Sequence, residues 1–170
     1  MASYLHFIVV LCLTSGLWMG ADASCPKQQG LCGISEGCCE ICPPGWTMFN
    51  DHCYQFYNSE KDWADAESFC TSLGGNLASL LTADIQNFLK EMIFRATNAY
   101  KNAWVGGSDA VKEGKWLWSD GSQFDFNRWG KGEPNNLGDE DCMEINFGGQ
   151  DYVNDAKCDL KRAFVCAKEP

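Results

Sequence analysis

Carboxylates and side-chain amides crowd into a short stretch near the carboxyl end of the chain. Glu133-Pro134-Asn135 comes first, Glu140-Asp141 follows, and Asn154-Asp155 completes the series. Carboxylates gathered in one place repel one another, so they need a compensating positive charge. Calcium is a hard cation that takes about six to eight oxygen ligands from carboxylates, amides and carbonyls. The stretch therefore predicts a calcium site in preference to a solvated acidic loop.

Two helices and several short strands must position these side chains. Asp62 is expected to cap a helix that begins at Trp63 and ends at Gly74-Gly75, and a second helix follows Thr82. The apolar stripe of the second helix has helical spacing and is expected to face the core: Ile85, Phe88, Leu89, Met92, Ile93 and Ala96. Short strands are predicted at 53–58, 103–106, 116–119, 142–146, 150–154 and 163–167.

A long stretch rich in Gly, Pro, Asn and Asp separates the strands expected at 116–119 and 142–146. Long structureless loops are uncommon in compact domains, and where they occur they usually serve a function. The first half of the acidic series lies on this stretch. We therefore expect the loop to carry the binding site.

Charge and targeting signals narrow the function classes. The net charge of −10 argues against nucleic acid and anionic membranes as partners, because both need a basic face.

The apolar run 7–17 and the small residues around Ala23 are typical of a signal peptide that is cleaved after Ala23. A membrane anchor is the alternative, but the run is too short to span a bilayer and no basic tail precedes it. We expect a secreted protein without membrane insertion.

The cysteines point to an oxidising compartment and divide the chain. Eleven are present, and one lies in the expected signal peptide, so an even number remains for a disulfide framework. We expect a signal peptide at 1–23, a Cys-rich extension at 24–41 and one globular domain at 42–170. Four cysteines of the extension have no assigned partner and allow three internal pairings or bridges to another copy of the chain: Cys25, Cys32, Cys38 and Cys39.

Several motifs occur together in the expected domain: Phe69-Cys70, Trp104-Val105-Gly106-Gly107, Glu133-Pro134-Asn135, Asn154-Asp155 and the series Cys142, Cys158, Cys166. Together they resemble the motifs of the C-type lectin domain family, including its small secreted fish lectins and type II antifreeze proteins. The resemblance implies an α+β fold with two helices, two small antiparallel sheets and a long calcium-binding loop. It also implies three bridges: Cys42–Cys53, Cys70–Cys166 and Cys142–Cys158.

The resemblance further implies how the site works. One calcium ion is expected to be held by the side chains of Glu133, Asn135, Glu140, Asn154 and Asp155 and by the Asp155 carbonyl, with a cis peptide bond before Pro134. Six protein oxygens leave two coordination positions for neighbouring sugar hydroxyls. In the family, the order Glu-Pro-Asn accompanies mannose-like sugars. Four further residues have two equally favoured interpretations, a second calcium site or ordinary solvated loop residues: Asp109, Glu113, Asn136 and Asp141.

These expectations favour a secreted, calcium-dependent lectin of mannose-type specificity that recognises microbial glycans. One alternative is ice binding, although the positions of the additional bridge of antifreeze relatives carry no cysteine here. The other is a protein-binding module without sugar affinity, although such relatives typically lose the calcium ligands. We do not expect an enzyme, because His52 has no serine or free cysteine partner in view.

Overall fold

The structure is a computed structural model that describes residues 42–149 and 152–170. These residues all belong to one unit, Glu40–Pro170. The expected signal peptide and Cys-rich extension, with Cys25, Cys32, Cys38 and Cys39, lie outside the described residues. Within the described part, no helix combines the length and the apolar character that crossing a membrane requires.

Both expected helices form where their capping residues place them. Helix α1 spans Trp63–Ser72, and the Asp62 carboxylate accepts a hydrogen bond from the Asp65 amide at 2.8 Å. Helix α2 spans Ala83–Thr97, and the Thr82 hydroxyl accepts from the Ile85 amide at 3.2 Å. These bonds satisfy amide donors that have no partner within the helix. The sequence prediction of both helix starts is confirmed.

Eight strands form one mixed sheet. In chain order they are β1 Thr47–Phe49, β2 His52–Lys61, β3 Asn76–Leu77, β4 Ala103–Ser108, β5 Leu117–Trp118, β6 Cys142–Ile145, β7 Asn154–Ala156 and β8 Arg162–Lys168. The main path through the sheet is β1-β2-β8-β4-β6-β7, while β3 pairs with β8 and β5 with β4. All pairs are antiparallel except β4 with β8, which run parallel. This parallel pair joins the two antiparallel sheets that the sequence suggested.

One strand lies further along the chain than predicted. The strand expected at 150–154 begins only at Asn154 and continues to Ala156. Its position follows from the pairing of Asn154 with Glu144, Asp155 with Met143 and Ala156 with Cys142. The prediction was wrong because the ladder to β6, and not local strand propensity, sets where β7 starts. Strands β1 and β3 were not predicted at all.

Two apolar clusters and three disulfides hold the described domain together. One cluster includes Leu89, Val105 and Trp118, and the other includes Trp104 and Phe164. Trp116 and Trp129 are partly buried and pack against the first cluster. The bridges are those that the family resemblance implied: Cys42–Cys53, Cys70–Cys166 and Cys142–Cys158.

Candidate functional site

The loop that precedes β6 docks on the start of β7 through backbone amides. The Gly130 amide donates to the carbonyl of Val153 at 2.8 Å. Further along the loop, the amides of Asn135 and Asn136 donate to the two carboxylate oxygens of Asp155, at 3.1 and 2.7 Å. Asp155 is only 1% exposed. Its carboxylate therefore fixes the loop against the sheet from a position inside the protein.

The acidic part of the loop is folded back on itself. The Leu137 amide donates to Asn135 Oδ1 at 2.8 Å and to Glu140 Oε2 at 3.1 Å. Asn136 Oδ1 accepts from the Glu140 amide at 2.7 Å, and Asn135 Nδ2 donates to Glu133 Oε2. The peptide bond between Glu133 and Pro134 is cis. Together these contacts bring Glu133, Asn135 and Glu140 to the same end of the sheet as Asp155.

Burial and the charges of neighbouring carboxylates raise the pKa values of two carboxyls in this cluster. Burial raises the pKa of the Glu133 carboxyl, and the hydrogen bond and negative charge of Asp155 raise it further. The pKa of Glu140 is also raised, first by burial and then by the charge of Asp155. Carboxyls with such shifts are held together at a cost in the ionised form. A bound cation would remove that cost.

The donor set fits calcium by its chemistry. Glu133, Glu140 and Asp155 offer carboxylate oxygens, and Asn135 and Asn154 offer amide oxygens, which are the ligand types of a hard divalent ion. Within residues 42–149 and 152–170, no three His, Cys, Asp or Glu side chains converge on a single point at metal-binding distances. The side chains are therefore of the right kind. Hydrogen bonds of the loop bring Glu133, Asn135, Glu140 and Asp155 together, and binding a cation would require their oxygens to turn toward one centre.

The four residues of the expected second site are also neighbours. The Asp109 amide donates to the Asp141 carbonyl at 3.1 Å, and Asn136 Nδ2 donates to Glu113 Oε2 at 2.6 Å. Asp109 is 2% exposed; its Oδ2 accepts from the Gly114 amide, whereas its buried Oδ1 has no partner among the described residues. Burial and the nearby Asp141 raise the pKa of Asp109. An orphaned carboxylate oxygen of this kind fits a cation ligand.

A buried ion pair behind the site was not predicted from the sequence. Glu144 is fully buried, and its Oε2 accepts from Arg162 Nε at 2.7 Å and from Asn102 Nδ2 at 3.0 Å. Its Oε1 accepts from Asn154 Nδ2 at 3.1 Å. A charged residue inside the apolar run Cys-Met-Glu-Ile was the available signal, because a buried charge requires a partner.

Comparisons with known proteins agree with this geometry. The model of the family described as "Lectin C-type domain" matches residues 59–168. The chain is 41% identical to the galactose-specific lectin nattectin of Thalassophryne nattereri over 99% of both chains. It is 43% identical to ladderlectin of Oncorhynchus mykiss, over 69% of this chain and 62% of ladderlectin. Among solved structures, herring type II antifreeze protein superimposes with a TM-score of 0.71, at 32% identity, over 76% of this chain and 99% of that one.

The similarity to nattectin extends over nearly the whole length of both chains, and the family match covers most of the described domain. The TM-score of 0.71 at 32% identity shows that the fold of the described domain is that of the matched structure. The named relatives are lectins and not enzymes, in agreement with the expectation from the sequence. The chain therefore belongs to the C-type lectin domain family.

Proposed function

We propose that this protein is a secreted lectin that binds mannose-type sugars in a calcium-dependent manner. One observation carries the proposal: Glu133, Asn135 and Glu140 are gathered against the buried Asp155, and the carboxyl pKa values there are raised by burial and mutual charge. A cluster built at this electrostatic cost is explained by a cation that it is made to hold.

The ligand set of the proposed site is Glu133, Asn135, Glu140, Asn154 and Asp155. When bound, calcium supplies open coordination positions that two adjacent sugar hydroxyls can fill. The protein's side chains supply the selectivity. The carboxylates accept hydrogen bonds from the hydroxyls, and each Asn Nδ2 carries two hydrogens, so that one stays available after its contact within the protein.

The mannose preference rests on the order of donors and acceptors along the loop. Glu133 can only accept, whereas Asn135 can donate, and the family resemblance associates this order with the equatorial 3- and 4-hydroxyls of mannose. The relative nattectin is named galactose-specific. The choice between the two sugars is therefore the sharpest test of this part of the proposal.

Affinity chromatography on immobilised mannose tests the proposal directly. The full-length protein should bind in the presence of calcium and elute with a chelator or with free mannose. Free galactose at the same concentration should elute much less. Retention that is insensitive to the chelator would contradict calcium dependence, and preferential elution by galactose would contradict the sugar assignment.

Ice binding is the second candidate, and the superposition on herring type II antifreeze protein favours it. The Glu-Pro-Asn sequence at 133–135 and the absence of cysteine at Ser108-Asp109 and Trp129-Gly130 favour the sugar-binding alternative. Thermal hysteresis of the purified protein separates the two functions. We expect none above that of an inert protein of equal size.

The remaining parts of the proposal concern the whole chain. Residues 1–23 act as a signal peptide, and the extension 24–41 links copies of the chain through its four cysteines. A shallow site that binds one diol is weak, so several linked copies would raise the avidity for repeated glycans on a microbial surface. Mobility on a non-reducing gel tests the linkage, since a band that stays monomeric without reductant would exclude it.

A further inference from the structure

We propose that Glu144 is a positioning residue that fixes which atom of the Asn154 amide faces the calcium site. The expected effect on calcium binding rests on the proposed function, since Asn154 is one of the proposed ligands. The contact between Glu144 and Asn154 does not, because it lies within the protein.

The register of the sheet places the two residues side by side. Glu144 on β6 pairs directly with Asn154 on β7, and both side chains are buried, at 0% and 4% exposure. Asn154 Nδ2 donates to Glu144 Oε1 at 3.1 Å. The oxygen and nitrogen of an amide diverge from one carbon. Holding Nδ2 on Glu144 therefore leaves Oδ1, the only atom of this amide that can bind a cation, directed away from Glu144.

The other oxygen of Glu144 is held by two donors on the opposite side. Arg162 Nε lies 2.7 Å from Oε2, and Asn102 Nδ2 lies 3.0 Å from it. The Arg162 guanidinium also lies 5.9 Å from the centre of the Trp104 ring. These two donors hold Oε2 in place, which leaves Oε1 as the acceptor for Asn154 Nδ2. This arrangement dictates the amide orientation of Asn154.

Replacing Glu144 by glutamine tests whether this contact orients the Asn154 amide. The Gln oxygen must face Arg162 and Asn102, because both are donors, so the Gln amide nitrogen must face Asn154. Asn154 then has to present Oδ1 to position 144 and Nδ2 to the calcium site. We expect Glu144→Gln to weaken calcium binding about 10- to 100-fold, the range found when groups that orient metal ligands are lost.

A second substitution should restore binding. In the double variant Asn102→Asp with Glu144→Gln, the new carboxylate at position 102 is expected to accept from the Gln nitrogen and to draw the Arg162 guanidinium away from position 144. The Gln oxygen can then face Asn154 again. Glu91→Gln serves as the matched control, because it makes the same chemical change at an exposed position of α2. We expect its calcium affinity to stay within about twofold of the unaltered protein, because no contact that orients a ligand is lost.

The experiment combines calcium titration of these variants with NMR of the calcium-free protein. In the unaltered protein, the Asn154 side-chain NH₂ should show slowed solvent exchange, and Glu144→Gln should abolish this protection. Equal calcium affinity of Glu144→Gln and the unaltered protein, or no rescue by the double variant, would overturn the inference. If the unaltered protein took up no calcium, the proposed function would fail. The NMR result would still decide the orienting contact, and an unprotected Asn154 NH₂ would overturn it independently.

Discussion

At the scale of single residues, sugar selectivity depends on which loop positions accept hydrogen bonds and which donate them. Glu133 and Asn135 lie against each other at the tip of the loop, and the backbone of Asn135 is anchored to Asp155. The double substitution Glu133→Gln with Asn135→Asp exchanges donor and acceptor and keeps the oxygen ligands. We expect it to reverse the preference from mannose to galactose while calcium binding persists, as measured by competitive elution.

Val111→Ala provides the matched control for this exchange, because Val111 is 87% exposed and lies outside the ligand set. It should leave both affinities unchanged. If the double variant kept the mannose preference, the order of donors and acceptors would not control selectivity, and the galactose specificity in the name of nattectin would become the better guide.

The sequence indicated which acidic residues gather at the candidate site but not the contacts behind them. Spacing and residue type brought out Glu133, Glu140 and Asp155, because clustered carboxylates are unusual without a cation. The pairing of Glu144 with Arg162 escaped notice. The two residues lie on separate strands, and only the folded sheet brings the carboxylate to the guanidinium.

At the scale of elements, the start of α1 depends on one capping carboxylate. Asp62 accepts from the Asp65 amide at 2.8 Å and from Lys161 Nζ at 2.6 Å. We expect Asp62→Ala to lower the free energy of unfolding by about 1 kcal/mol. Asp62→Asn should lower it less, because an amide oxygen still caps the helix. Urea unfolding at neutral pH measures both, and equal stability of Asp62→Ala and the unaltered protein would contradict this role.

The same carboxylate predicts a pH dependence. The hydrogen bonds from Lys161 and the Asp65 amide lower the pKa of Asp62 below its ordinary value. A lowered pKa in the folded state means that the stabilisation is complete above the unfolded value and disappears as the pH falls through the folded one. The stability difference between the unaltered protein and Asp62→Asn should therefore shrink in acid. A difference that stays constant to low pH would show that the charge is irrelevant.

Local signals explain why the helices were easier to predict than the strands. Caps and apolar stripes lie within each helix, so Asp62 and Thr82 marked both starts. The strands β1 and β3 contain three and two residues, and they exist only through their pairing with β2 and β8. The same dependence on partners displaced β7 from its predicted position.

At the scale of the whole molecule, we expect Cys70–Cys166 to contribute more to stability and Cys142–Cys158 to contribute more to calcium binding. The Cys70–Cys166 bridge closes a separation of 96 residues, whereas Cys142–Cys158 closes 16. Chain entropy assigns about 4.7 kcal/mol to a loop of about 100 residues and about 3 kcal/mol to one of about 15. Replacing Cys70 and Cys166 by alanine should therefore lower the free energy of unfolding by about 1–2 kcal/mol more than replacing Cys142 and Cys158 does.

Calcium binding should respond in the opposite order. Cys142–Cys158 joins the start of β6 to the turn that follows β7. Asn154 and Asp155 lie on β7 itself. Alanine at both positions should weaken calcium binding more than the loss of Cys70–Cys166 does. Calorimetric unfolding and calcium titration of both double variants check the two rankings, and a site that is indifferent to the short bridge would contradict this division.

The central claim is that a sugar is recognised through a calcium ion held by the loop and β7. Isothermal titration of calcium into the metal-free full-length protein, followed by titration of mannose, tests it most directly. The account predicts saturable calcium uptake that is greatly weakened in Glu133→Ala, and a heat of mannose binding that appears only after calcium is present. Absence of calcium uptake, or an equal mannose heat in the presence of a chelator, would contradict it.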